Sequence, residues 1–134
     1  MLTGDKVETA LNIALSCGHI SSNAEKYFIV DCQNELQLNG HLDALERELN
    51  RNSQNEYALL IDGPSLALAL LLVPERFRDL AYKCYAVLCC RLSPLQKSEV
   101  VSLVKTVKDK PVTAAIGDGA NDVGFLKICL WSLY

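Results

Sequence analysis

The sequence predicts an α/β fold, a mostly parallel sheet with helices on both faces, and three observations carry that prediction. Short β-prone runs at 27–30, 57–61 and 85–90 alternate with stretches of helical periodicity. A further run at 111–116 hands over to "IGDGANDVGF" (116–125), and the carboxyl ends of strands are where open α/β sheets carry their ligand chemistry. Half of the 134 residues are hydrophobic, which supplies a core for one domain, or part of one, and argues against disorder.

Taken in order, Met1 and Leu2 read as the tail of a strand. Asp5, with Glu8 three positions on, has the spacing of a capping box. Val7, Ala10, Leu11, Ala14 and Leu15 then make a largely buried helix, which Cys17-Gly18 should stop. After the strand at 27–30, Leu42, Leu45 and Leu49 form the apolar stripe of an amphipathic helix, with Asp43 and Arg47 four apart on its polar face. The strand at 57–61 closes on Asp62-Gly63-Pro64, which reads as a turn. Residues 65–83 are predicted helical with a break at Pro74, and 85–90 is a third strand. Ser93, Pro94 and Gln96 open the next helix with an S-x-x-Q box, and Val100, Val101 and Val104 carry it to about Lys108. The last strand is 111–116, and a last helix begins at Ala120.

Composition removes several functions. Thirteen basic against sixteen acidic residues give a formal net charge of −3 with no basic block, so a nucleic-acid partner is disfavoured. The longest apolar run, 66–73, is far short of the roughly 20 residues of a membrane helix. The N-terminus lacks the marks of a signal peptide, which leaves the cytoplasm as the expected compartment. Cys17, Cys32, Cys84, Cys89, Cys90 and Cys129 contain no C-x-x-C pair, and His19 and His41 have no zinc spacing to them. Buried reduced thiols are the expectation.

Three strand exits hold unusual chemistry: Thr3-Gly4-Asp5, Arg91 with Lys97, and 117–122. Gly117 and Gly119 let backbone approach a ligand, and a helix starting near Ala120 directs free N–H groups at anything negative. Asp118 beside such an anion is intelligible if Mg²⁺ stands between them. Asp122 stands where a dinucleotide fingerprint needs Gly or Ala, and Ala120 and Val123 break a calcium loop. Lys97 can bring a point charge to the same ligand, and Thr3 and Gly4 a hydroxyl and an amide, the set that phosphoryl transfer requires. Taken singly, a helix lysine is a solvated charge, Thr-Gly-Asp a common strand exit and Arg91 a snorkelling residue. The glycine-rich acid stretch is the specific signal. A nucleophile is missing; Asp62 alone has the position for one.

"MLTGDKVETALNIALSCGHI", "CCRLSPLQKSEVVSLVK" and "AIGDGANDVGF" resemble three consecutive stretches of the phosphorylation domain of P-type ATPases, most closely the type IV class, the phospholipid flippases. Residues 21–82 resemble the family only through "ALLIDG". The resemblance implies a Rossmann-like, haloacid dehalogenase-like fold and ATP hydrolysis through an aspartyl-phosphate. It implies that Thr3, Gly4 and Asp5 lie near the phosphate, Lys97 steadies the phosphoryl group and Arg91 reaches towards nucleotide. It further implies that Asp118 binds Mg²⁺, Asn121 contacts phosphate, and Asp122 supports the site and shares in the metal. In the family the site takes ATP, the domain lies on the cytoplasmic side of a membrane protein, and the partners are the rest of the ATPase chain and an accessory subunit. Phospholipid is met only through membrane helices.

The departures matter as much. The acceptor motif D-K-T-G-T does not occur in these 134 residues, so the chain is expected to be the C-terminal part of a phosphorylation domain lacking its acceptor Asp, and inactive alone. "LKICLWSLY" leaves the family pattern after Phe125, which suggests a divergent or truncated end. A cation-transporting member, a soluble phosphatase of the same superfamily using Asp62, and a non-catalytic interaction protein are the alternatives.

Overall fold

The computed structural model describes residues 1–51, 54–107, 113–117, 122–129 and 131–133. They fall into two compact units, Met1–Arg91 and Leu92–Tyr134.

In the first unit the elements run α1 (Val7–Ser16), β1 (Glu25–Ile29), α2 (Glu35–Arg51), β2 (Tyr57–Asp62), α3 (Gly63–Leu72), α4 (Pro74–Lys83) and β3 (Ala86–Cys90). The three strands form a parallel sheet in the order β1-β2-β3. Leu2 bridges Cys89 in parallel on the outer side of β3, so the Met1–Thr3 segment extends the sheet as the expected strand tail. From Met1–Thr3 the chain crosses through α1 to the far edge at β1, then steps back through β2 to β3. Right-handed crossovers in opposite directions put α1 on one face and the later helices on the other.

Packing agrees. Ala10 and Ala14 of α1 share a core cluster with Ala58, Leu60, Ala86, Leu88 and Cys90, alternate positions of β2 and β3. Leu59 and Ile61 point to the opposite face, and β2 is buried along its whole length. A strand buried on both faces reads as continuous apolar sequence, which is what "YALLI" is.

Local signals set most boundaries. Gly18, at φ 74, ends α1 in the left-handed region as predicted. Val73, at the junction, starts a second helix at Pro74, since proline fits a first turn and breaks an interior. Leu38, Leu42 and Leu45 form the buried stripe of α2. Asp43, however, is paired across helices: Arg76 of α4 donates to Asp43 at 2.6 Å and to Glu46 at 3.0 Å, fastening α4 to α2.

The second unit contains α5 (Pro94–Val104), β4 (Ala114–Ile116), α6 (Val123–Leu126) and β5 (Trp131–Leu133). Here β4 pairs in parallel with β5, a strand that the sequence did not announce. The predicted start of β4 at 111–112 and of α6 at Ala120 lie outside the described residues, and α5 ends at Val104, four residues short of Lys108. Its N-terminus is the predicted box: Ser93 Oγ accepts from Gln96 N at 3.3 Å, and Gln96 Oε1 accepts from Ser93 N at 3.0 Å. Ser93→Ala should therefore cost about 1 kcal/mol in urea-induced unfolding, with Ser93→Asp recovering most of it.

Candidate functional site

The carboxyl ends of the strands carry the chemistry in the first unit. Thr3 N donates to Cys89 O at 3.0 Å, which registers the segment on β3. Thr3 Oγ1 then donates to Asp5 Oδ2 at 2.9 Å and accepts from Asp5 N at 3.1 Å. Arg91 N donates to Asp5 O at 2.9 Å. Thr3-Gly4-Asp5 is thus a closed hydroxyl–carboxylate turn seated on the residue that follows β3. This corrects the predicted capping box: Asp5 is tied to Thr3, and the residue in the N-cap position of α1 is Lys6, without a side-chain capping bond.

Asp62 is also corrected. It is the last residue of β2 and the N-cap of α3, with Pro64 in the first helical turn, so Gly63-Pro64 starts a helix and does not make a turn. Its carboxylate, 2 % exposed, accepts from Ser65 N through Oδ1 and from Asp31 N through Oδ2, each at 3.0 Å. Ser65 Oγ in turn accepts from Cys32 N at 3.0 Å. With both oxygens committed to backbone donors, Asp62 is a fastener between the β1 and β2 exits, a poor starting point for nucleophilic attack.

Asp31 and Arg91 are non-glycine residues at φ 55, the left-handed region that costs a side-chain-bearing residue energy and clusters at functional sites. Both follow a strand and both border a cavity of about 490 Å³. Asp31, Asp62 and Arg91 line it from the strand exits, Lys6 and Glu8 from the start of α1, over an apolar wall that includes Phe28. Sequence reasoning missed Asp31 and Ser65. The signal was present in "FIVD", which repeats the strand-then-acid form of "LLID".

In the second unit Lys97 stands one turn inside α5, and its Nζ donates to Asp122 Oδ1 at 2.9 Å, bringing together two predicted site residues 25 positions apart. The side chains are only 18 % and 14 % exposed. An ion pair this far from water loses more on removal of one partner than an exposed pair does. Lys105 Nζ donates to Ile128 O, and Gly124 of α6 comes close enough to α5 that a Cβ there would meet Ser98 Oγ at 3.1 Å. The α5–α6 contact therefore holds the pair from both sides. Asp118 and Asn121 lie outside the described residues. Among the described residues no three His, Cys, Asp or Glu side chains gather to hold a metal ion, and no helix is long and apolar enough to cross a membrane.

No protein-family model matches the chain. Individual relatives do. Over 95 % of its length it is 43 % identical to phospholipid-transporting ATPase tat-1 of Caenorhabditis elegans, and 40 % and 39 % identical to phospholipid-transporting ATPase ID of Homo sapiens and Mus musculus. It spans 11 % of the first and 13 % of the other two. The mammalian alignments run over 153 positions, more than this chain has, so those relatives carry extra residues within the aligned stretch. The chain carries a segment of a P-type ATPase domain. Its relatives are of the phospholipid-transporting class.

Proposed function

We propose that the chain is the acceptor-less part of the phosphorylation domain of an ATP-driven phospholipid-translocating ATPase, and that its residues serve aspartyl-phosphate chemistry. The observation that carries this reading is the Lys97–Asp122 pair, a cation held on a partly buried acid within a segment matched along almost its whole length to phospholipid-transporting ATPases. On this reading Lys97 offsets charge on the transferred phosphoryl group, and Asp122 fixes where the ammonium stands. Thr3, Gly4 and Asp5 serve the phosphate, Arg91 the nucleotide and Asn121 a phosphate oxygen. Mg²⁺, when bound, supplies the charge that lets phosphate oxygens approach a carboxylate, and Asp118 is the ligand proposed for it. Asp122, engaged by Lys97, orients and does not need to give up that partner. The acceptor aspartate, the membrane helices that read the lipid and any accessory subunit are supplied by chain or partners outside these residues, with this domain on the cytoplasmic side.

Two measurements on the purified 134-residue chain test this. ATP with Mg²⁺ should show no turnover above buffer; steady turnover abolished by Asp62→Asn would instead mark a self-contained phosphatase. Mn²⁺, used as a paramagnetic probe for Mg²⁺, should broaden resonances around residue 118, and Asp118→Asn should remove that broadening. Broadening unchanged in Asp118→Asn would sink the assigned metal ligand.

A further inference from the structure

We infer that Gly117 is a positioning residue: its missing side chain is the space into which Asp122 folds to reach Lys97. The glycine was expected to open backbone to a ligand, yet its φ is not in the left-handed region that favours glycine, so backbone angle does not explain it. Sterics do. A Cβ on Gly117 would stand 2.5 Å from Asp122 Cβ, 2.9 Å from its Cγ and 3.0 Å from its Oδ2. Real Cβ atoms do not approach carbon so closely, so any side chain at 117 must displace Asp122 from its root, which rotation about χ1 cannot relieve because Cβ itself is struck. The same carboxylate holds Lys97 Nζ at 2.9 Å through Oδ1. Gly117, Asp122 and Lys97 thus form one chain of contact: the strand end β4 yields room, the residue before α6 fills it, and the lysine of α5 is fixed by what fills it. Displacing Asp122 by an ångström away from Lys97 lengthens that 2.9 Å charge-assisted bond beyond hydrogen-bonding distance.

This rests on the reading of Lys97 and Asp122 as phosphoryl-site residues, and its consequence is that a methyl group at 117 acts on Lys97 without touching it. The test is the rate at which Lys97 is acylated by a limiting amine-directed reagent, read by peptide mass spectrometry, with Lys26 of the first unit as internal reference. In the parent chain Lys97 should label slowly. Asp122→Asn and Gly117→Ala should each speed it several-fold while leaving Lys26 unchanged, and the double variant should be no faster than Asp122→Asn alone. Gly40→Ala, in α2, where an added Cβ meets nothing within 4 Å, should change nothing. Faster Lys97 labelling in Asp122→Asn but not in Gly117→Ala overturns the role of Gly117 and leaves the pair standing. No change in Asp122→Asn removes the pair, and with it both readings. If Gly117→Ala speeds all lysines together, or the double variant exceeds Asp122→Asn, the glycine acts on overall folding and the inference fails.

Discussion

Asp62→Ala should destabilise the chain by about 3 kcal/mol in urea-induced unfolding. The loss strands two donors, the buried Ser65 N that Asp62 caps at the start of α3 and the part-buried Asp31 N, each of which loses the carboxylate oxygen it meets at 3.0 Å. An unsatisfied buried donor costs about 1–3 kcal/mol, and the neighbouring cavity, by admitting water, keeps the sum near the lower end. Asp62→Asn should lose roughly half as much, because one acceptor oxygen survives while the amide's NH₂ faces a backbone N–H. Ser65→Ala, which frees only Cys32 N, should cost about 1 kcal/mol and serves as the scale. A loss below that of Ser65→Ala would show that Asp62 does not fasten the two strand exits. Since a domain holds about 5–15 kcal/mol in all, Asp62→Ala removes a large share of it.

That fastening explains what the sequence made legible and what it did not. The capping box at Ser93 was readable because both partners lie within four residues of one another. An identical argument failed at Asp5, where the decisive partners are Thr3, two positions back, and Arg91, which follows β3 and is 86 residues on. Local spacing cannot see β3 running alongside Met1–Thr3. Asp43 misled for the same reason: Arg47 is four positions away, but Arg76 arrives with α4 and bonds two acids at once. At Asp62 the fault was one of weighting. Gly-Pro after an acid signals a turn, yet proline is equally suited to the first turn of a helix, and the apolar run 66–72 should have tipped the choice. The parallel sheet, the helices on both faces and the break at Pro74 were legible because they follow from periodicity and proline alone. Thr3, Asp5, Arg91 and Asp122 were singled out because each stands in the segment after a strand, and Lys97 because it stands one turn inside the helix that follows β3; their partners were not read because partners are set by packing. β5 escaped because three residues at the end of a chain carry no periodicity.

Above pH 9 the chain should lose stability steeply, and two thiols are the reason. Cys89 and Cys90, at 1 % and 0 % exposure, occupy the end of β3. Burial is the main force on both, opposed by the nearby N-terminal ammonium; it pushes Cys89 from 9.0 to about 12 and Cys90 to about 11, with Asp62, Asp5 and Glu8 adding to the rise at Cys90. The folded state therefore keeps two protons that the unfolded chain releases from pH 9 upward. Because the folded values lie above the unfolded one, the stability is fully present below pH 9 and drains as pH climbs towards 11–12. Each fully retained proton contributes a slope of about 1.4 kcal/mol per pH unit, so the pair gives about 2 kcal/mol per unit around pH 10, where the unfolded thiols are mostly ionised and the folded ones are not. Burial also pushes Cys84 up to about 11 and raises Tyr27, so the measurement is a difference. Urea midpoints from pH 8 to 11 should fall much faster for the parent chain than for Cys89→Ala/Cys90→Ala, which starts lower from lost packing but follows a flatter line. Parallel lines would mean that the thiols ionise as easily folded as unfolded, and the protonated state of the buried thiols at the end of β3 would have to be given up.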